Sequence, residues 1–508
     1  MKQHAAPGRT VGDGPYNRLI LRNVTVIDGT GAPPQGPVDI VIDGNRISEV
    51  HLVASPLAQM QGPSRPQPGP DGREIDLAGH HVLPGLVDCH AHIGPPSKSP
   101  SAQYYYDLLL AHGVTSLRDP GSFGNGLDFV RREAERSDRN EIAAPRITPY
   151  VGFGQDRQEP FTDPGDARAW VQSVAERGAK GLKFFGYRAD IFEAALDEAK
   201  RLGLGSACHH AQPNLPQANA LTSARWGLSS VEHFYGLAEA MFEARRVQDY
   251  PIDYNYEDEQ ARFHNSGKVW HQAAEPGSAR WNDVIEELVG LGTTLDPTFQ
   301  VYIGNRDAER VRNLSWHKDY TAPQQWDFYT PSPHSHGSVF YDWTTEMEVT
   351  WRHAYERWMT FVRDFFHRGG RVTTGTDAGN AYKIYGFSQV EEMELLREAG
   401  LNPLEVIRSA TLAGAELIGA GDERGSITPG KLADLLVVAE NPVANLKVLY
   451  GNGRLRRQGD GTLRRVGGVK LTIKDGIVYS APDLLARVRD EVREEREKRG
   501  LSELDPMP

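Results

Sequence analysis

The stretch "VLPGLVDCHAHIG", residues 82–94, is an apolar run that Pro84 and Gly85 interrupt and that closes on two histidines one residue apart. Side chains i and i+2 leave the same face of a β-strand, so His90 and His92 can aim two imidazoles at one point. The spacing permits chelation without requiring it; the alternative is a pair of polar residues at a strand end. Partners elsewhere in the chain decide between the two. Seven further runs have the same form, short and apolar with polar residues at their ends: "GVTSLRDPG" (113–121), "PRITPYVGFG" (145–154), "GLKFFG" (181–186), "GSACHHA" (205–211), "SSVEHFYG" (229–236), "GTTLDPTF" (292–299) and "RVTTGTDAG" (371–379). Helical stretches such as "IFEAALDEAKRLGL" (191–204) and "SQVEEMELLREAG" (388–400) alternate with them. Strand and helix in alternation predict an α/β protein with a parallel sheet, and eight such strands predict a (β/α)8 TIM barrel. That fold places its chemistry at the C-terminal strand ends.

The barrel is expected over residues 83–420, longer than the ~250 residues typical of the fold, which implies insertions at about 240–285 and 301–360. Before it, "LILRNVTVIDGTG" (19–31) and "PVDIVIDGNRISEVH" (37–51) read as β-branched strands parted by Asp-Gly turns. The same style returns in "GSITPGKLADLLVVAENP" (425–442) and "VKLTIKDGIVYS" (469–480). Residues 17–82 and 421–482 are therefore expected to build one small flanking β-sandwich. The Arg- and Gly-rich "NGRLRRQGDGTLRRVGG" (452–468) reads as a mobile loop. Residues 483–508 read as a charged helix and tail, with a thin apolar stripe at Leu484, Leu485 and Val488 that suits a solvated surface helix or a partner helix.

With 508 residues, 39% of them hydrophobic, the chain can bury a large core. A formal charge of −12 argues against a phosphate-backbone binder, so nucleic acid is not an expected partner. The opening "MKQHAAPGRTVGDGPYN" lacks the apolar core of a secretion signal, and no run approaches the ~20 apolar residues of a membrane span. Two cysteines, Cys89 and Cys208, make no disulfide framework, and a reducing cytoplasm is the expected setting.

The strand ends carry the candidate chemistry. Lys183 sits on an apolar strand, where burial favours its neutral amine. A neutral amine can take up carbon dioxide, and the carbamate is a bidentate oxygen donor able to bridge two divalent cations; a lysine snorkelling at a strand end is the plainer alternative. His209 and His210 are adjacent, so only one can face the barrel axis, and the register favours His209. His233 ends the sixth strand and Asp377 the eighth. Four imidazoles, one lysine carbamate and one carboxylate can hold two metal ions with a water between them. Zn suits these donors, and Mn, Co or Ni can replace it. Asp377 would take the proton of the attacking water, or metal-bridging hydroxide, and return it to the leaving group. Hydrolysis is the chemistry implied.

These residues resemble the amidohydrolase superfamily, in its imidazolonepropionase-like and prolidase-like branch. The likeness rests on "PGLVDCHAH" (84–92), "GVTSLRD" (113–119), the strand carrying Lys183, a histidine at strand five, Glu232-His233 at strand six, Thr376-Asp377-Ala378-Gly379 at strand eight and the return "GSITPGKLADLLVV" (425–438). The resemblance implies that His90, His92 and Asp377 hold one metal, that His209 and His233 hold the other, and that carbamylated Lys183 bridges them. It also implies cleavage of a C–N amide, imide or lactam bond in a small peptide-like or cyclic substrate. A mononuclear deaminase, a metal-dependent lyase or isomerase, and a non-catalytic scaffold are the competing readings. The family's usual His-Ala-His or His-Ala-Glu at strand five is here His209-His210-Ala211, which leaves that register open by one residue.

Substrate contacts are expected from Arg118, His210, Tyr235, Trp316, Trp326 and Trp343. Arg118 can instead pair with Asp119. Residues 301–360 carry too many large rings for a solvated linker and are expected to form a lid, with packing or a subunit interface as the alternative. A second His-x-His, His334 and His336 in "PHSHG", follows prolines and serines and reads as an exposed loop. The partners expected are a small-molecule substrate and further copies of the chain.

Overall fold

The structure, a computed structural model, describes residues 3–53 and 65–501, so the expected segments 17–82 and 483–508 lie partly outside the described residues. The opening run divides between two sheets. His81–Pro84 pairs antiparallel with Leu435–Val438, whereas Leu86–Asp88 begins a separate parallel sheet. Gly85 makes the crossing, and a Cβ there would fall 2.1 Å from Thr115 Oγ1, so only glycine fits the junction. One apolar run, read above as a single strand, thus serves both units.

The flanking sheet has eight strands. Seven run in the order Ile477–Ser480, Val469–Lys474, Leu435–Val438, His81–Pro84, Arg18–Val26, Gln35–Asp43, Arg46–Leu52, and Arg73–Asp76 pairs parallel with Arg18–Val26. Alternate residues such as Leu19, Leu21, Ile40, Ile42, Leu435, Val437 and Ile473 share a core of their own. Both ends of the chain contribute to it.

The second sheet is all parallel and carries each of the eight runs in chain order: β1 (Leu86–Asp88), β2 (Val114–Gly121), β3 (Arg146–Gly152), β4 (Gly181–Phe184), β5 (Gly205–Cys208), β6 (Ser230–Glu232), β7 (Thr294–Asp296) and β8 (Arg371–Val372). It curls until its edges meet, with Cys89 N–H donating to Thr374 O at 2.9 Å. The barrel interior is polar. Arg118 is fully buried and donates to Ser230 Oγ at 2.9 Å, to both Glu232 oxygens at 2.8 and 2.7 Å and to Asp296 Oδ2 at 3.1 Å. Arg118 does not pair with Asp119, because successive side chains leave β2 on opposite faces.

Three other expectations meet a different outcome. The Arg- and Gly-rich segment is a hairpin, Arg454–Arg457 against Leu463–Val466, held by an antiparallel ladder. The charged helix Ala481–Lys498 buries Leu484, Leu485, Val488 and Val492 and is tied to the barrel by Arg487–Asp107 at 3.1 Å and by Ser101 Oγ–H to Glu491 at 2.7 Å. Within 301–360, helix Thr345–His367 precedes β8 as the barrel helices do, so the excursion between β7 and β8 ends where Thr344 caps that helix.

Candidate metal centre

Five of the candidate ligands meet at the C-terminal mouth of the barrel with Asp377, around one cavity of about 450 Å³: His90, His92, Lys183, His209 and His233. His92 Nε2 lies 3.5 Å from Asp377 Oδ1, His90 Nε2 3.8 Å from the same oxygen, and His233 Nε2 3.9 Å from Asp377 Oδ2. Ligand atoms 2.0–2.1 Å from a tetrahedral cation lie about 3.3 Å apart, so these separations suit donors around a cation. His209 meets the ring of His233 edge-on with centroids 4.8 Å apart, and Lys183 Nζ sits 3.4 Å from His90 Nε2.

Two of the ring nitrogens that face away from the cavity are held. His90 Nδ1 meets Glu232 Oε2 at 2.6 Å, and His233 Nδ1 meets Thr298 Oγ1 at 2.5 Å. Such contacts fix which nitrogen keeps its lone pair for a metal. His92 Nδ1 is buried without a hydrogen bond, 3.4 Å from Asp119 Oδ1. Burial holds His90, His209 and His233 well below the usual imidazole range, and it also lowers the Lys183 ammonium. Neutral imidazoles and a neutral amine are the forms that ligate or take up carbon dioxide. Burial would raise Glu232, but the Arg118 guanidinium and the Ser230 hydroxyl that donates to it keep the carboxylate low. Asp296 is pushed well up by burial and by the Glu232 charge. The donor set therefore fits divalent cations.

Backbone strain marks the same place. His233, Thr298 and Asp377 all have positive φ, at 63°, 50° and 46°, a region that non-glycine residues enter at a cost of order 1–3 kcal/mol. The turn at His233 lets both Glu232 and His233 reach the site from successive positions. Close packing needs Gly375, where a Cβ would stand 2.5 Å from Asp296 and 2.6 Å from His90 Cβ.

The structure places the other candidates away from the cavity. His210 turns outward and meets Ser223 Oγ at 2.7 Å. Tyr235 lies behind His209, rings 4.4 Å apart, and Arg118 lies beneath the metal ligands. Trp316 stacks on Phe387 at 4.9 Å, Trp326 packs near Tyr382 at 5.6 Å, and Trp343 donates to Asn305 O at 3.1 Å. Trp316 and Trp326 pin the excursion to the barrel, Trp343 packs within the excursion, and none of the three lines the cavity. Its roof comes from Tyr302, Val339 and His336 of one excursion and from Glu259, Arg262 and Phe263 of the other. His336, read above as an exposed loop residue, sits 3.3 Å from Glu259. Lys98 and Asn380 at the wall were also not foreseen, since nothing in their sequence setting distinguishes them.

Residues 353–478 match the amidohydrolase family. Adenine deaminase 2 of Rhizobium johnstonii is 36% identical over 131 residues, 25% of this chain and 19% of that protein. The chain spans about a fifth of the length of the curated relatives with which it shares such stretches. Among solved structures, a Xaa-Pro dipeptidase with bound methionine in its active site superposes at a TM-score of 0.59 and 20% identity, covering 91% of this chain and 100% of that one. Bottromycin amidohydrolase superposes at 0.62 and 18% identity, covering 96% and 92%. At such identities the structures share the fold.

Proposed function

Taking as premise that the chain belongs to the amidohydrolase superfamily, we propose that it hydrolyses a C–N amide, imide or lactam bond in a small peptide-like or cyclic molecule, with divalent metals held at the barrel mouth. The observation that carries this reading is the convergence of four imidazoles, Lys183 and Asp377 on one cavity. His90, His92 and Asp377 would hold one ion and His209 with His233 a second. Lys183 Nζ, in the neutral form that burial favours, would add to carbon dioxide and lose one proton, and its carbamate oxygens would join the two sites. Bound there, the cations supply a water activated at neutral pH and polarise the scissile carbonyl. Asp377 accepts the proton of that water and returns it to the departing nitrogen, so that an acid and an amine leave. Glu232 and Thr298 keep the imidazoles oriented. Tyr302, Val339 and Phe263 give the roof an apolar surface beside the Glu259–Arg262 pair.

Likeness to adenine deaminases favours a second reading, loss of ammonia from a ring carbon at a single metal. One experiment separates them. Protein purified without chelator is expected to hold about two divalent ions per chain and to place one oxygen of ¹⁸O-labelled water in the carboxylic acid released from an N-acyl amino acid or lactam. His209→Ala should lose one ion and His210→Ala none. One ion with full activity overturns the two-metal arrangement, and ammonia as the product from aminopurines only overturns the amide reading.

A further inference from the structure

The cavity holds two side-chain cations beyond the candidate ligands, Lys98 and Arg262, and they are balanced differently. Arg262 Nη2 donates to the Glu259 carboxylate and its guanidinium lies 4.7 Å over the Tyr256 ring, so its charge is met within the roof. Lys98 has no such partner. Its Nζ donates to Asn380 Oδ1 at 3.1 Å and lies 4.0 Å over the Phe328 ring, and among the described residues no carboxylate comes within ion-pair distance. Asn380 cannot turn to offer more, because its Nδ2 donates to Asp377 O at 3.2 Å and faces Asp377 Oδ1 at 3.4 Å. An ammonium has three donors, and one is used. Asp377 is the one carboxylate whose charge bears on Lys98, and that carboxylate faces the imidazoles of the metal centre. Burial lowers the Lys98 ammonium to about 8, which leaves most of it charged at neutral pH.

A partly buried cation with spare donors and no counter-charge is costly unless a ligand supplies the charge. We propose that Lys98 is a specificity-determining residue that receives a carboxylate of the substrate. The rest of the wall, Phe123, Phe185, Phe263 and Tyr302, suits an aromatic or apolar group on the same molecule. The substrate class is then an amide bearing a free carboxylate and an apolar acyl group. This inference rests on the amide-hydrolase reading of the same cavity.

The test compares N-benzoylglycine with N-benzoylglycinamide, following benzoate release by the metal-loaded full chain. Wild type is expected to prefer the acid by about tenfold or more in kcat/KM, as a charge-assisted hydrogen bond would give. Lys98→Met, which keeps the stem over Phe328 and removes the charge, should bring the acid-to-amide ratio close to one, and Lys98→Arg should restore part of it. A wild type without the preference, or a ratio unmoved by Lys98→Met, overturns the proposal. Calorimetric binding of N-benzoylglycine gives a second readout. If no benzoate is released from either compound, the hydrolytic reading fails for this class, and binding alone decides the role of Lys98. At least tenfold weaker binding to Lys98→Met supports that role. Equal binding, or no detectable binding to wild type, overturns it.

Discussion

His90-Ala91-His92 and His334-Ser335-His336 have the same spacing, but the first lines the cavity floor with both rings, whereas the second reaches its roof with His336 alone. The first pair extends β1, is backed by Glu232 and Asp119 and is tied to Asp377 across the barrel closure. Behind it lies the Arg118 network, with every member enclosed. The second pair follows Pro333 in a loop, and His336 keeps about half its side chain in solvent against Glu259 and Arg262. A His-x-His is therefore a rigid donor pair only when the backbone before it is in a sheet and carboxylates stand behind its rings. The floor is built to hold atoms in place. The roof is built to fit a molecule.

Asp377→Asn attacks the floor most directly and should lower kcat by about 10²–10⁴-fold with little change in KM, since it removes proton transfer. Steady-state kinetics with any accepted amide check this, and a change confined to KM would take Asp377 out of that role. Arg118→Met should cost about 3–5 kcal/mol in urea unfolding, because the Glu232 carboxylate would keep its burial without its counter-charge. A loss below about 1 kcal/mol would mean that the floor is not electrostatically tied together. His336→Ala should do least: its contact with Glu259 is partly solvated, worth about 0.2–1 kcal/mol, so kcat/KM should shift by no more than about fivefold and metal content should not change. Loss of metal in that variant would erase the distinction between floor and roof.

The floor was legible because each candidate ligand sits at the end of an apolar run, where β geometry limits which side chains can face the axis. Alternation allowed only one of His209 and His210 to face the axis, the register favoured His209, and His209 is the one that lines the cavity. The second layer was less legible. Arg118 could be paired with Asp119 or with substrate on sequence grounds, while its actual partners, Glu232 and Asp296, lie 114 and 178 residues away. The tryptophans of residues 301–360 were correctly read as markers of a folded segment, but ring content alone does not say which face meets the cavity. They proved to pack rather than line the cavity.

By itself the sequence determined the strand order, the alternation with helices and the residues at the strand ends, because periodicity and turn chemistry are local properties of the chain. Tertiary structure decided the rest. Only barrel closure brings Asp377 to His92, only the crossing at Gly85 divides one apolar run between two sheets, and only the meeting of two excursions encloses the space beside Lys98. Those outcomes depend on contacts between residues far apart in the chain, where shape and charge balance, rather than spacing, select the partner.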